Sequence, residues 1–294
     1  MTLTRARAEA ALDVVPAYLT RLAILLGLVA AAAASVTAFV PGVLSGTAVM
    51  NGSARGTALV VLLVAVPVLV VSVRAAGSGS VRALAVWIGV TAYLTYNAVM
   101  FCIATPFNRL FPLYVGMLSL SIFLLAGLAV HASHVGSHLP PGRRLRWIGA
   151  YMAVVVTLNT LLWLRGVAAA VVADEPTSFL ADSGLTTNPV YVQDLAFWLP
   201  VMAWLAYSAF TFRRDRWVLV AGGLVFWVLE GIGVAVDQWM GYRADPTTVW
   251  ASMGAVWLFV VTTAIGLVPA TVALRELPRS YESTSVHGGG SARV

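Results

Sequence analysis

The feature that most constrains this chain is a series of apolar runs, each about as long as a bilayer is thick. They fall near residues 18–40, 58–76, 83–104, 111–131, 147–172, 193–212, 217–239 and 249–273. A helix needs about 20 apolar residues to cross the hydrocarbon core. A transmembrane barrel would need shorter segments that alternate in and out. These runs are long and continuous, so an all-α fold is predicted: a polytopic transmembrane helix bundle of about eight spans. Composition agrees. Of 294 residues, 60% are hydrophobic and only 10% are charged, against about 25% charged in an ordinary soluble domain. A fold solvated by lipid tails has no need of the missing charge. Residues 1–17 are expected to be a cytoplasmic N-terminus, with a helix over 8–17 lying on the membrane face. Residues 18–276 form a single transmembrane domain, and 277–294 a polar, disordered tail with Gly288, Gly289 and Gly290 in a row.

The arginines give an orientation. All 18 basic residues are Arg, and there is no Lys. Arg5, Arg7 and Arg21 precede or open the first run. Arg74 and Arg82 flank the second connection, and Arg143, Arg144 and Arg146 the fourth. Arg213, Arg214 and Arg216 lie in the sixth, and Arg275, Arg279 and Arg293 in the tail. With both ends inside, all of these are cytoplasmic. Only Arg55, Arg109 and Arg243 fall in outer loops, and Arg165 lies within a span. This asymmetry fits the positive-inside rule, and the acidic loop with Asp174, Glu175 and Asp182 then faces outward. The expected location is a bacterial plasma membrane, with N- and C-termini cytoplasmic. A second reading of the front is a cleaved signal peptide at Ser35-Val36-Thr37-Ala38; the long segment before the apolar stretch argues for a retained span.

Other residues exclude chemistry. Without lysine there is no Schiff-base chemistry. The single cysteine, Cys102, forms no intrachain disulfide and no thiol cluster for zinc or iron–sulfur. His131, His134, His138 and His287 fall at a helix end, in a loop or in the tail, so paired intramembrane haem ligands are absent. No metal site and no cofactor are expected. The net charge of +6 is spread between apolar runs rather than gathered on one face, so no nucleic-acid partner is expected. There is no G-x-S-x-G elbow, no H-E-x-x-H and no phosphate loop. Pro67, Pro200 and Pro269 lie inside spans, where kinks are tolerated. Alanines 30–34 and Gly222-Gly223 offer small faces for close helix packing.

Polar groups inside the spans carry the functional signal, because an ionisable side chain at mid-bilayer costs about 2.5–3.5 kcal/mol on insertion scales. In the seventh run Glu230 lies near the middle and Asp237 near the outer end. Seven residues apart, they share one helical face about 10 Å apart along the axis. Gly231 and Gly233 flank Glu230 and permit close approach. Arg165, in the outer half of the fifth run, has a depth that suits a partner between the two carboxyls. Asp194 opens the sixth run after Asn188-Pro189-Val190-Tyr191. Asn97, with Tyr93 and Tyr96, lies in the third, the turn after it carries Asn108, and Tyr114 begins the fourth. All of these fall in the outer half. They predict a polar cavity opening outward, with Arg165, Glu230 and Asp237 at its base and aromatic walls. The competing reading makes Arg165 with a carboxylate a structural pair, and Asn97 and Asn159 ordinary interhelical hydrogen-bonding residues.

Residues 96–114, from Tyr96-Asn97 through Pro106-Phe107-Asn108-Arg109-Leu110-Phe111 to Leu113-Tyr114, resemble a stretch in uncharacterised multi-pass membrane proteins of bacteria. The run Asp194-Leu195-Ala196-Phe197-Trp198-Leu199-Pro200 is similar too. The all-Arg, Ala/Val-rich composition resembles that of a GC-rich actinobacterium. The resemblance implies no activity. The leading expectation is a small-solute or lipid-binding transporter or sensor, with membrane lipids and a small ligand as partners. The alternatives are a membrane-embedded enzyme acting on a lipid or outer-face substrate, and a non-catalytic scaffold.

Overall fold

The computed structural model describes residues 15–140, 142–173, 180–181 and 183–279. Among the described residues the fold is all-helical, with eight long helices: α1 Ala17–Phe39, α2 Ala48–Gly77, α3 Val81–Ile103, α4 Phe111–Ser137, α5 Arg146–Ala173, α6 over 189–210, α7 Trp217–Ala244 and α8 Met253–Arg275. Seven are long and apolar enough to cross a membrane; α6, which carries Gln193 and Asp194 in its first turns, is the exception. The expected surface helix over 8–17 lies almost wholly outside the described residues, as do Asp174, Glu175, Asp182 and the tail beyond 279.

Most of the expected spans coincide with these helices. The second does not. Its helix begins at Ala48 rather than near 58, so Arg55 stands on a helix and not in a loop. Residues 48–57 hold Asn51, Ser53 and Arg55, and their polarity hides the helix from a reading based on apolar runs.

Two of the three intraspan prolines are accommodated in the same way. A wider π-type turn, Val61–Ala65, precedes Pro67, and another, Asp194–Trp198, precedes Pro200. Proline lacks an N–H and its ring crowds the carbonyl four residues back. Those carbonyls belong to Leu63 and Ala196, both inside the widened turns, so each helix continues instead of breaking.

Connections fall on two faces. On one, Arg82 at the start of α3 donates from Nε to the Leu277 carbonyl (2.8 Å) and from Nη2 to that of Arg275 (3.0 Å). Arg214, just before α7, donates from Nε to the Pro140 carbonyl (3.0 Å) and from Nη2 to that of Glu276 (3.1 Å). On the other face Gly46 lies against Pro106, Gly184 against Thr47, and the Trp250 indole N–H donates to the Ala181 carbonyl. The 138–145 and 211–216 connections thus share a face, and α5 with α6 must make a round trip. The chain traverses the bundle eight times although α6 is less apolar than the rest.

α3 and α7 form the centre and are the most buried spans. Their approach is set by small residues. A Cβ on Gly89 would lie 2.7 Å from the Gly222 carbonyl oxygen. α2 crosses the C-terminal part of α7 as closely. A Cβ on Gly52 would stand 2.6 Å from the Met240 carbonyl, and one on Gly56 2.9 Å from that of Val236. Gly52-Ser53-Ala54-Arg55-Gly56 is a G-x-x-x-G face, the pattern that lets membrane helices pack backbone to backbone. In contrast, among the described residues α5 has no fully buried side chain after Val156. Its C-terminal half, including Leu158, Leu161 and Leu162, is largely exposed, and its main packing partner is α6.

Gly56→Leu is expected to lower stability by about 1–3 kcal/mol, because the new side chain meets backbone that cannot turn aside. Gly77→Ala, with nothing within 4 Å of its Cβ, should be neutral. Thermal unfolding in detergent measures both.

Candidate functional site

Glu230 sits midway along α7, and its first neighbour is Asn97 of α3. Asn97 Nδ2 donates to Glu230 Oε2 at 3.4 Å and to its own helix at the Tyr93 carbonyl, 3.0 Å away. Small residues flank the carboxylate as the sequence suggested. A Cβ on Gly233 would lie 2.7 Å from the Tyr93 hydroxyl, and one on Gly231 would collide with the Thr263 hydroxyl of α8. α7 therefore admits a side chain from each neighbour on either side of Glu230.

Toward α6 the site is aromatic. Trp198 stacks on Phe226 (centroids 4.6 Å apart) and Tyr96 contacts both rings, at 5.9 and 6.0 Å. Asp194, on the widened turn of α6, lies beside the Tyr96 hydroxyl and accepts a 2.8 Å hydrogen bond from Trp163 Nε1 of α5. Trp163 also stacks on Tyr191 at 4.4 Å. Gln193 Oε1 accepts from Trp198 Nε1 at 3.1 Å. Asp237, two turns further along α7 than Glu230, lies at the α2 crossing, where Ser53 Oγ donates to its backbone carbonyl at 3.4 Å. Asp194 and Asp237 are both close enough to Glu230 for their charges to act on it.

Hydrogen-bonding capacity is left over around this group. Tyr93 Oη, Thr263 Oγ1, Asp237 Oδ1 and Gln193 Nε2 are each buried without a partner among the described residues. Buried polar atoms are nearly always paired, so four in one neighbourhood call for an explanation.

Of the predicted site residues the structure gathers Glu230, Asn97, Tyr96, Asp194 and, at the edge, Asp237. It separates three. Tyr114 is fully buried against α1, where its hydroxyl is 2.7 Å from Thr37 Oγ1 and its ring stacks on Phe101. Asn108 caps the turn before α4, its Oδ1 accepting from the Leu110 N–H at 2.8 Å. Arg165 does not reach the carboxyls: it is exposed, and among the described residues no arginine bridges Glu230, Asp194 or Asp237. The reason is helical geometry. Trp163 points at Asp194, and a residue two positions on points to the opposite side of the helix. Arg165 is eight residues short of the end of α5, about 12 Å along the axis. Its long stem can carry the guanidinium toward the headgroups.

Sequence reasoning missed Trp163, Gln193, Ser53 and Thr263. Trp163 carried a signal, since tryptophan needs a partner for its N–H when buried. Thr263 carried none.

The chain matches no protein-family model, no curated protein and no solved structure.

Arg165→Gln is expected to change stability by less than about 0.5 kcal/mol, as for surface substitutions. Asn97→Leu should cost about 1 kcal/mol, within the range measured for interhelical hydrogen bonds in membranes. Melting curves of the two variants separate the predictions; equal losses would restore Arg165 to the site.

Proposed function

We propose that this protein binds a small solute or lipid at the Glu230 group, as a transporter or sensor, with Glu230 as the protonatable coupling residue. One observation carries the reading. Two carboxyls, Asp194 and Asp237, lie within electrostatic reach of a third, Glu230, which is bonded to a neutral amide, and among the described residues no arginine pairs with any of them. A structural ion pair would present a cation here. Carboxyls without one suit a ligand that brings protons or positive charge, and the unpartnered Tyr93, Thr263 and Gln193 atoms suit polar contacts to it. The exposed outer half of α5 offers lateral access beside Trp163 and Asp194.

An enzyme acting on a lipid or an outer-face substrate would need a base aligned with a nucleophile or a bound water. Asn97, the direct partner of Glu230, is neither. A scaffold role predicts that the polar groups serve stability alone.

The proposed setting is a bacterial plasma membrane with both termini cytoplasmic. On the face where Arg82 and Arg214 meet the end of α8 lie also Arg74, Arg143, Arg144, Arg146, Arg213, Arg216, Arg275 and Arg279. The opposite side has Arg109, and Arg55 together with Arg243, which line one depression. That imbalance supports the orientation, because basic residues favour the cytoplasmic side.

Purification in native-lipid particles, with mass spectrometry of what accompanies wild type and Glu230→Gln, tests the function. A species enriched on wild type and lost from a folded variant is expected. If the variant only melts earlier and carries the same molecules, the scaffold reading holds instead. For orientation, cysteines introduced on a Cys102→Ser background are read with a membrane-impermeant maleimide on intact cells. Thr247→Cys should label and Ser137→Cys should not; the reverse pattern inverts the bundle.

A further inference from the structure

We infer a second site, for a phosphate group, on the arginine-rich face. It is independent of the Glu230 reading. A depression of about 420 Å³ is lined by Arg82, Arg143, Arg214, Arg275, Pro140 and the turn at Glu276. Four arginines and a single glutamate line it. Glu276 is already engaged, its Oε2 accepting from the Arg143 backbone N–H at 3.3 Å.

Two of the arginines have a structural task. Arg82 and Arg214 donate to the carbonyls of Arg275, Glu276 and Leu277, which end α8 without helical partners. Those bonds fix both guanidiniums at the wall of the depression. They do not use up Arg214: its Nη1 is buried and has no partner. The group lies flat against the turn at Gly142, where a Cβ would stand 2.6 Å from Nη1. A side chain at 142 would displace it.

Capping does not account for Arg143 or Arg275. Neither guanidinium has a carboxylate or hydrogen-bond partner among the described residues. Planar, permanently charged forks converging on one space match tetrahedral, multiply charged oxyanions. The excess of three positive charges fits a phosphate or a phosphodiester. Two sources share this chemistry: the headgroup of an anionic lipid in the adjoining leaflet, and a soluble phosphate compound.

The full chain is reconstituted in phosphatidylcholine nanodiscs, alone and with phosphatidylglycerol. Lipid retention is read by native mass spectrometry, and inorganic pyrophosphate binding by titration calorimetry in the phosphatidylcholine discs. Arg143→Gln/Arg275→Gln removes two charges that make no internal bond, so its melting temperature should match wild type. An arginine near a membrane contributes about 1 kcal/mol to anion attraction, or roughly fivefold. The double variant should therefore bind about 25-fold more weakly. Arg109→Gln/Arg243→Gln, on the opposite face, should bind as wild type. Loss of phosphatidylglycerol retention without pyrophosphate binding identifies a lipid headgroup; pyrophosphate binding with the same dependence identifies a soluble ligand. Equal affinities in all three proteins, or equal losses in both double variants, overturn the site.

Discussion

The close crossing of α7 with α3 and α2 is the constraint on which the rest depends. Lipid tails are as apolar as leucine, so these helices gain nothing from hiding apolar surface. What holds them is contact area, and area requires that the backbones approach. Gly89 with Gly222, and Gly52 with Gly56, provide that approach on two sides of one helix. α7 is thereby fixed in rotation as well as position. Its Glu230 is turned toward Asn97 and its Asp237 toward the α2 seam, with no freedom for either to swing outward.

Fixing the helix makes the polar group costly. A charged side chain deep in a bilayer is tolerated where partners or water attend it. Asn97 supplies one neutral hydrogen bond, and among the described residues no cation pairs with the carboxylate. A side chain kept only for packing could be leucine at no such cost. Retaining glutamate at a position held by glycine contacts is economical only if the carboxyl exchanges something. That is why the absence of an arginine bridge favours a ligand site over a structural pair.

Much of the architecture was legible because transmembrane helices write themselves as long apolar runs, and because arginine placement distinguishes the two faces. The hydrogen bonds of Arg82 and Arg214 bring together connections that the charge pattern had already assigned to one side. Residues 48–57 were not legible as helix. Their amphipathic start lies against α7, where small polar residues are wanted for contact, and hydropathy counts that as loop. The G-x-x-x-G face was visible as letters, but its partner could only come from the fold.

The site was legible by depth and not by direction. Depth follows from counting residues along a span, and the count put Glu230, Asn97, Tyr96 and Asp194 in the same half of the bundle. Direction follows from rotation about the axis, at about 100° per residue. Arg165 has the right depth and the wrong direction, because Trp163 already takes the inward face of α5 with its bond to Asp194. The widened turn over Asp194–Trp198 makes the same point from the other side. It shifts the helical phase of everything before it relative to everything after, so Asp194 reaches Trp163 and Tyr96 while Trp198 still packs on Phe226. A proline six residues after an aspartate, at Pro200, is thus part of how the carboxyl is aimed. Relieving that turn by Pro200→Ala would rotate Asp194 away from Trp163 and leave the outer end of α5 without its polar tie to the bundle.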